Sequence, residues 1–476
     1  MKPEAGAARW AGQDLTQGPI ARTLLRFSLP IVLQMSIQPL YGTIDSIFIG
    51  HISKQAMAGV TLAGTLVFLT IALSAALGSG STSYIARLIG AGQRQEADNA
   101  AHHSILLMLA ITALVVLALT PHAGRFFKLL GAAPVILPFA LRYSWPLLYG
   151  SVFILFNMMG AAILRAEGNS RTPLFIAIVT VLANLALAPP LIFARAQPVI
   201  WGLQIGYFGL GVFGAALATL LARVLGCVML LLYIGQGRSV WSLSWKNFHW
   251  HPRHFVEILR VGAPQMIVHL TGFTVALTYM RVLNRFGVDA VAVFGVGAQL
   301  DALAILPMFG LMIGMIGMVG QNLGAGRLDR VKRAVWVASL ITAAFTGVMG
   351  AIFILLPQFW IGMFNRDPQI LELGRLYLRI VSFTYVPVGV AYVLGGAFQG
   401  LGKGMPWLWI TLIRFLGVSI PLALILSPYL GPLGAWIGIA SAHVAAGILS
   451  TLWILREFRK QRFLPGTKEV RGSARL

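Results

Sequence analysis

Apolar stretches of membrane-spanning length recur along the whole chain, at about residues 24–48, 57–82, 104–120, 143–164, 173–193 and 211–233. They return at about 260–283, 290–320, 335–357, 377–399, 405–428 and 433–455. A helix needs about 20 apolar residues to cross the hydrocarbon of a bilayer, and each stretch is near that length. The pattern predicts an all-α polytopic membrane protein with twelve transmembrane helices. Polar stretches mark off a tail at 1–23, a first lobe at 24–234, a linker at 235–258, a second lobe at 259–455 and a basic tail at 456–476. The first tail carries no apolar run of its own, so no cleavable signal segment is expected.

The two sets of spans are copies of each other. Pro30 and Pro264, Ala56 and Ala290, and the turns Gly90-Ala91-Gly92 and Gly324-Ala325-Gly326 are all 234 residues apart, without a gap. The spacing persists to Gly168 and Gly402, slips by one at Pro173 and Pro406, and becomes 220 at Gly211 and Gly431, where the first half has a longer loop. Six spans per copy is an even number. The copies therefore run parallel, related by an axis along the membrane normal, as in one class of secondary transporters. Two parallel-repeat six-helix lobes with a cleft between them follow.

One span breaks the apolar rule. In residues 30–50 Gln34, Gln38, Tyr41 and Asp45 follow at steps of four, three and four, which stacks them on one helical face. A charge at bilayer depth costs at least a few kcal/mol, so Asp45 marks a functional site unless the stripe only ties helices together. Pro30 and Pro39 remove backbone donors from the same span and let it bend. The offset maps the stripe onto Val268, Gly272, Val275 and Tyr279, so ion chemistry belongs to the first lobe. Asp301 is the other acid clearly inside a span and a secondary candidate, with a buried interhelical hydrogen bond as its plain alternative. Arg223 and Arg414 also lie within spans, where snorkelling or a fixed interhelical pair is the simpler reading.

Composition supports the class: 58% of residues are apolar, 11% are charged, and the mean hydropathy is +0.81, where soluble domains carry about a quarter charged residues. A formal charge of +22 would suit a nucleic-acid partner, but no basic module is present. Instead the basic residues crowd one set of alternate loops, among them Arg87, Arg94, Arg165, Arg171, Arg327 and Arg330, and the final tail with Arg462. By the positive-inside rule these loops and both termini are cytoplasmic, in a plasma (inner) membrane. Lys54, Arg125, Lys128, Arg195 and Arg366 mark the sparser outer set, and Asp45 sits toward the outer end of its helix. The single cysteine, Cys227, rules out an internal disulfide and cysteine-built metal clusters. The linker's His249, His251 and His254 have no evident buried shell, so a solvated interfacial loop is expected there and no metal site.

The order and doubling of several motifs carry a family resemblance. LTQGPIARTLLRFSLPIVLQMSIQPLYGTIDSIFIGH, SYIARLIGAGQ, GNSRTPL, NLALAPPLIF, GVFGAALAT and VGQNLGAGR together resemble the multidrug and toxic compound extrusion (MATE) family over nearly all spans. The resemblance implies an antiporter whose two lobes rock to export bulky, often cationic amphiphiles against protons or sodium. It implies that Asp45 is the coupling acid, with Asn184 and Thr219 in the same site. The chain departs from related members at Ala188, where a second acid stands, and at Gly272, where another branch has one. One carboxylate suits a proton better than a dehydrated sodium ion, so proton exchange is expected. Gln34, Gln38, Tyr41 and Asn157 are expected to line the substrate cavity, amid Phe156, Met158 and Met159, residue types that in a membrane bundle more often serve packing or face lipid.

Further expectations are small-molecule substrates, lipid contacts, no cofactor, no nucleic acid and a monomer. A flippase for lipid-linked substrates would need a strongly basic cavity, and a non-coupled remnant would no longer depend on Asp45. An enzyme is not expected, because no phosphate-binding loop, zinc motif or nucleophile elbow is present.

Overall fold

The structure, a computed structural model, describes residues 12–194, 207–246 and 248–461, without the side chain of Gln461. Arg195 and the tail from Arg462 onward lie outside the described residues. The fold is all helical, in the order α1 (Ile20–Ile37), α2 (Leu40–Gly50), α3 (Lys54–Gly90), α4 (Arg94–Leu114), α5 (Ala123–Leu129), α6 (Leu137–Tyr149), α7 (Ser151–Ala166), α8 (Arg171–Ile192) and α9 (Gly211–Gly235). The second half runs α10 (Pro252–Asn284), α11 (Val288–Gly324), α12 (Leu328–Leu355), α13 (Pro357–Gly362), α14 (Pro368–Ser382), α15 (Tyr385–Gly400), α16 (Gly404–Leu412), α17 (Ile420–Leu430) and α18 (Pro432–Gln461). Among the described residues ten stretches are long and apolar enough to cross a membrane. Two bent pairs, α6–α7 at 53° and α14–α15 at 49°, bring the number to twelve when each pair is counted as one span.

The duplication extends to the helix boundaries. α3 and α11 are both 37 residues long and offset by 234 at each end, and α7 and α15 share the offset. Each of α3 and α11 stops at the repeated glycine turn, where Gly92 and Gly326 take φ of +76° and +70°, a conformation open to glycine at little cost. Their last glycines also allow backbone contact: a Cβ on Gly90 would lie 2.0 Å from Gln321 O, and one on Gly324 2.0 Å from Arg87 O.

The copies differ at the first helix. Pro39 has no N–H, so α1 ends at Ile37 and α2 restarts with Pro39 as its N-cap. The matching position is Phe273, and α10 runs unbroken for 33 residues. Pro30, by contrast, is absorbed inside α1.

By their contacts the residues gather into two compact units whose edges fall within helices. One unit comprises Leu33–Ile85 and Gln93–Gly262 with Gln13; the other comprises Asp14–Val32, Ala86–Gly92 and the chain from Ala263. In the first unit α8 packs on α9, α6 on α9 and α4 on α7; in the second α15 packs on α11, α12 and α18.

The linker is shorter and better held than its polarity suggests. Residues 252–258 already belong to α10, and the rest lies along α4 and the end of α7. Asp98 accepts from Ser242 N at 2.7 Å and from Ser242 Oγ at 3.0 Å, and Asn99 Nδ2 donates to His249 O at 2.9 Å. Glu167 Oε1 accepts from Ser239 Oγ at 2.5 Å, Val240 N at 3.1 Å and Trp241 N at 3.4 Å. The expected solvated histidine loop is corrected at His254, which is 3% exposed and packs with His103 and Tyr84, ring centroids 4.7 and 5.5 Å away. Among the described residues no group of three or more His, Cys, Asp or Glu could hold a metal ion.

Candidate ion-coupling site

Three helices of the first unit, α6, α8 and α9, deliver the polar groups around Asp45 of α2. The break at Pro39 sets α2 against α8 and α9. Gly214 lets α8 and α9 approach closely, since a Cβ there would lie 2.4 Å from Leu191 O. This brings Asn184 of α8 and Thr219 of α9 to one place, where Asn184 Nδ2 donates to Thr219 Oγ1 at 3.0 Å. Thr219 Oγ1 in turn donates to Asp45 Oδ2 at 3.1 Å. Tyr143 of α6 donates to the same oxygen at 2.5 Å.

The site is closed and incompletely satisfied. Asp45 and Asn184 are both 0% exposed, and Asp45 Oδ1 and Asn184 Oδ1 are buried without a hydrogen-bond partner. Polar atoms in that condition cost on the order of 1–3 kcal/mol each, and a bound proton or cation would relieve the cost. Ala188, one turn along α8 from Asn184, is fully buried, so the position of a second acid holds a methyl group.

The rest of the stripe has partners too. Tyr41 donates to Thr180 Oγ1 at 2.7 Å, and the Arg223 guanidinium lies 3.9 Å above its ring. Arg223 donates to Gln38 Oε1 at 3.1 Å, and Arg165 reaches Gln34 Oε1 at 3.4 Å. Arg223 is thus an interhelical partner of the stripe itself. Asn157 Nδ2 donates to Phe153 O, Arg223 O and Cys227 Sγ at 2.8, 2.7 and 3.0 Å, so it ties α7 to α9. Arg414 has the same character in the second unit, packed 4.1 Å over Phe415 and donating to Tyr392 Oη at 3.3 Å.

Asp301, on α11, belongs to the second unit. Tyr377 and Tyr385 donate to its two oxygens at 2.6 and 2.5 Å. Tyr143 escaped the residue-by-residue reading, although the repeat carried a signal: Tyr143 and Tyr377 are 234 residues apart.

A duplicated bundle of apolar spans with one carboxylate sealed inside the first copy defines a membrane transporter. The chain belongs to the MatE family, whose sequence profile matches residues 30–189 and 264–425. It is 30% identical over 445 residues to the probable multidrug resistance protein NorM of Thermotoga maritima, covering 92% of each chain. It is 25% identical to the FAD transporter of Shewanella oneidensis, over 91% of this chain and 94% of the relative. A solved structure described as the outward-facing conformation of a multidrug resistance MATE family transporter superposes with a TM-score of 0.86 at 27% identity, over 95% of this chain and 99% of that one.

Proposed function

We propose that this transporter exports bulky cationic amphiphiles in exchange for protons, with Asp45 as the exchanging group. One observation carries the reading: Asp45 is a fully buried carboxylate with one oxygen held by two hydroxyl donors and the other without a partner. A proton on Oδ1 neutralises the buried charge and leaves the bonds to Oδ2 in place. Asn184 and Thr219 position the acid. Gln34, Gln38, Tyr41 and Asn157 supply the polar wall of the substrate path on this reading. The multidrug name of the Thermotoga relative supports the substrate class. The protein sits in the plasma membrane with both termini in the cytoplasm, in line with the basic loops, and works as a monomer without a cofactor.

Sodium is the second reading. The unpartnered Oδ1 atoms of Asp45 and Asn184 are two oxygens of the kind sodium takes. Ala188 weakens this reading by removing the negative charge that would offset dehydration.

The test is accumulation of a cationic dye in everted vesicles, sodium-free, under an imposed pH gradient. Gradient-driven uptake that vanishes in Asp45→Asn at matched expression is the expected result. Uptake that needs sodium at constant pH, or that survives in Asp45→Asn, overturns the assignment.

A further inference from the structure

We propose that Asp301, Tyr377 and Tyr385 form a second proton-exchanging site, in the copy of the repeat that lacks Asp45. Tyr143 on α6 and Tyr377 on α14 are equivalent by the 234-residue offset, and each donates its hydroxyl to a buried or half-buried carboxylate. The carboxylates come from different helices: Asp45 from the first span of its copy, Asp301 from α11, the second span of the other. Asp45's own equivalent, Tyr279, is 2% exposed and bonded to Ser419 Oγ at 2.7 Å. The second copy therefore keeps the tyrosine and draws its acid from a neighbouring helix.

The partners suit an acid that changes its protonation state. A carboxylate held by arginine is fixed as an anion, because guanidinium only donates. Phenols both donate and accept. When a proton from water binds one Asp301 oxygen, the new O–H donates to one phenol oxygen, and that phenol must turn its own O–H to another acceptor. Such an acceptor is at hand beside Tyr385. Ser382, which ends α14 three residues before Tyr385, is 2% exposed and its Oγ has no hydrogen-bond partner. The site is thus satisfied with the acid charged or neutral, which a purely structural contact does not require.

Tyr377 belongs to α14 and Tyr385 opens α15, so the acid grips both arms of the 49° bend. The other titratable groups facing this cluster are Tyr279 of α10, near Tyr377, and His443 of α18, whose Nδ1 lies 2.9 Å from Thr384 Oγ1 in the bend. α12 and α13 bring none to this level.

The inference goes beyond the role given to Asp45 and is tested without it. Infrared difference spectra of purified Asp45→Asn protein, between alkaline and mildly acid buffer without sodium, should contain a carboxyl band that disappears on adding Asp301→Asn. Tyr385→Phe in the same background should shift that band and its titration midpoint, which carries the assignment if Asp301→Asn does not fold. Identical spectra for the Asp45→Asn and Asp45→Asn/Asp301→Asn proteins, with no shift in Tyr385→Phe, would overturn it. Failure of the Asp45 reading shows separately, as dye uptake that survives Asp45→Asn.

Discussion

Tyr143 illustrates how a single hydroxyl can be decisive and still be hard to find. It donates the shortest bond to Asp45, yet in the sequence it is one tyrosine in an apolar run, of a type that usually packs. Asp45 was legible because a charge among apolar residues is an energetic anomaly; a tyrosine in the same setting is not. Losing one donor to a buried carboxylate is worth about 1–3 kcal/mol. Tyr143→Phe should therefore lower pH-driven dye uptake at least fivefold while its melting temperature in detergent stays near that of the wild type. Wild-type uptake would remove Tyr143 from the site.

Among elements, the spans were readable from their apolar length, and their boundaries fall within about ten residues of the helix ends, furthest off at the starts of α4 and α14. The breaks were not. Pro39 announced its own interruption, whereas the bends after Tyr149 and Ser382 have no proline at the junction, and short helices such as α5 and α13 leave no periodic signal. Close packing between elements was equally hidden: a Cβ on Gly80 would lie 2.1 Å from Ile258 O of α10. Gly80→Ala forces two backbones apart and should lower the melting temperature by several degrees, whereas alanine at the open Gly64 should not.

The linker's hold on the end of α7 supplies a pH dependence. Burial pushes the Glu167 carboxyl up to about 7, although the Ser239, Trp241 and Val240 donors pull against the shift. An acid raised on docking binds its proton more tightly when docked. The docked linker is therefore favoured at low pH and loses up to about 1.4 kcal/mol per pH unit as pH rises from the ordinary carboxyl range through about 7. Protection of the amides of 239–241, taken relative to their intrinsic exchange at each pH, should fall over that window in the wild type and stay level in Glu167→Gln. A parallel fall in both proteins would place the titration elsewhere.

At the scale of the whole molecule, the duplication was legible as arithmetic on residue numbers. The division into contact units was not, because it depends on which surfaces meet. The first described segment belongs with the later half: Asn322 Nδ2 donates to Leu15 O at 3.0 Å, Arg330 donates to Gly18 O at 2.8 Å, and a Cβ on Gly314 would lie 2.1 Å from Ser28 Oγ. Asn322→Leu leaves the Leu15 carbonyl unpaired at a cost of about 1–3 kcal/mol, which makes the undocked segment roughly 5- to 150-fold more populated. Trypsin should then cut at Arg22, at the edge of the span, faster by a comparable factor. An unchanged cutting rate would show that the segment is held by other contacts.

That placement has a consequence for biosynthesis. A ribosome adds about 5–20 residues per second, so the segment around Leu15 leaves the tunnel some 15–60 seconds before Asn322 exists to receive it. For that interval the insertion machinery or the lipid must shelter a surface shaped for a partner not yet made.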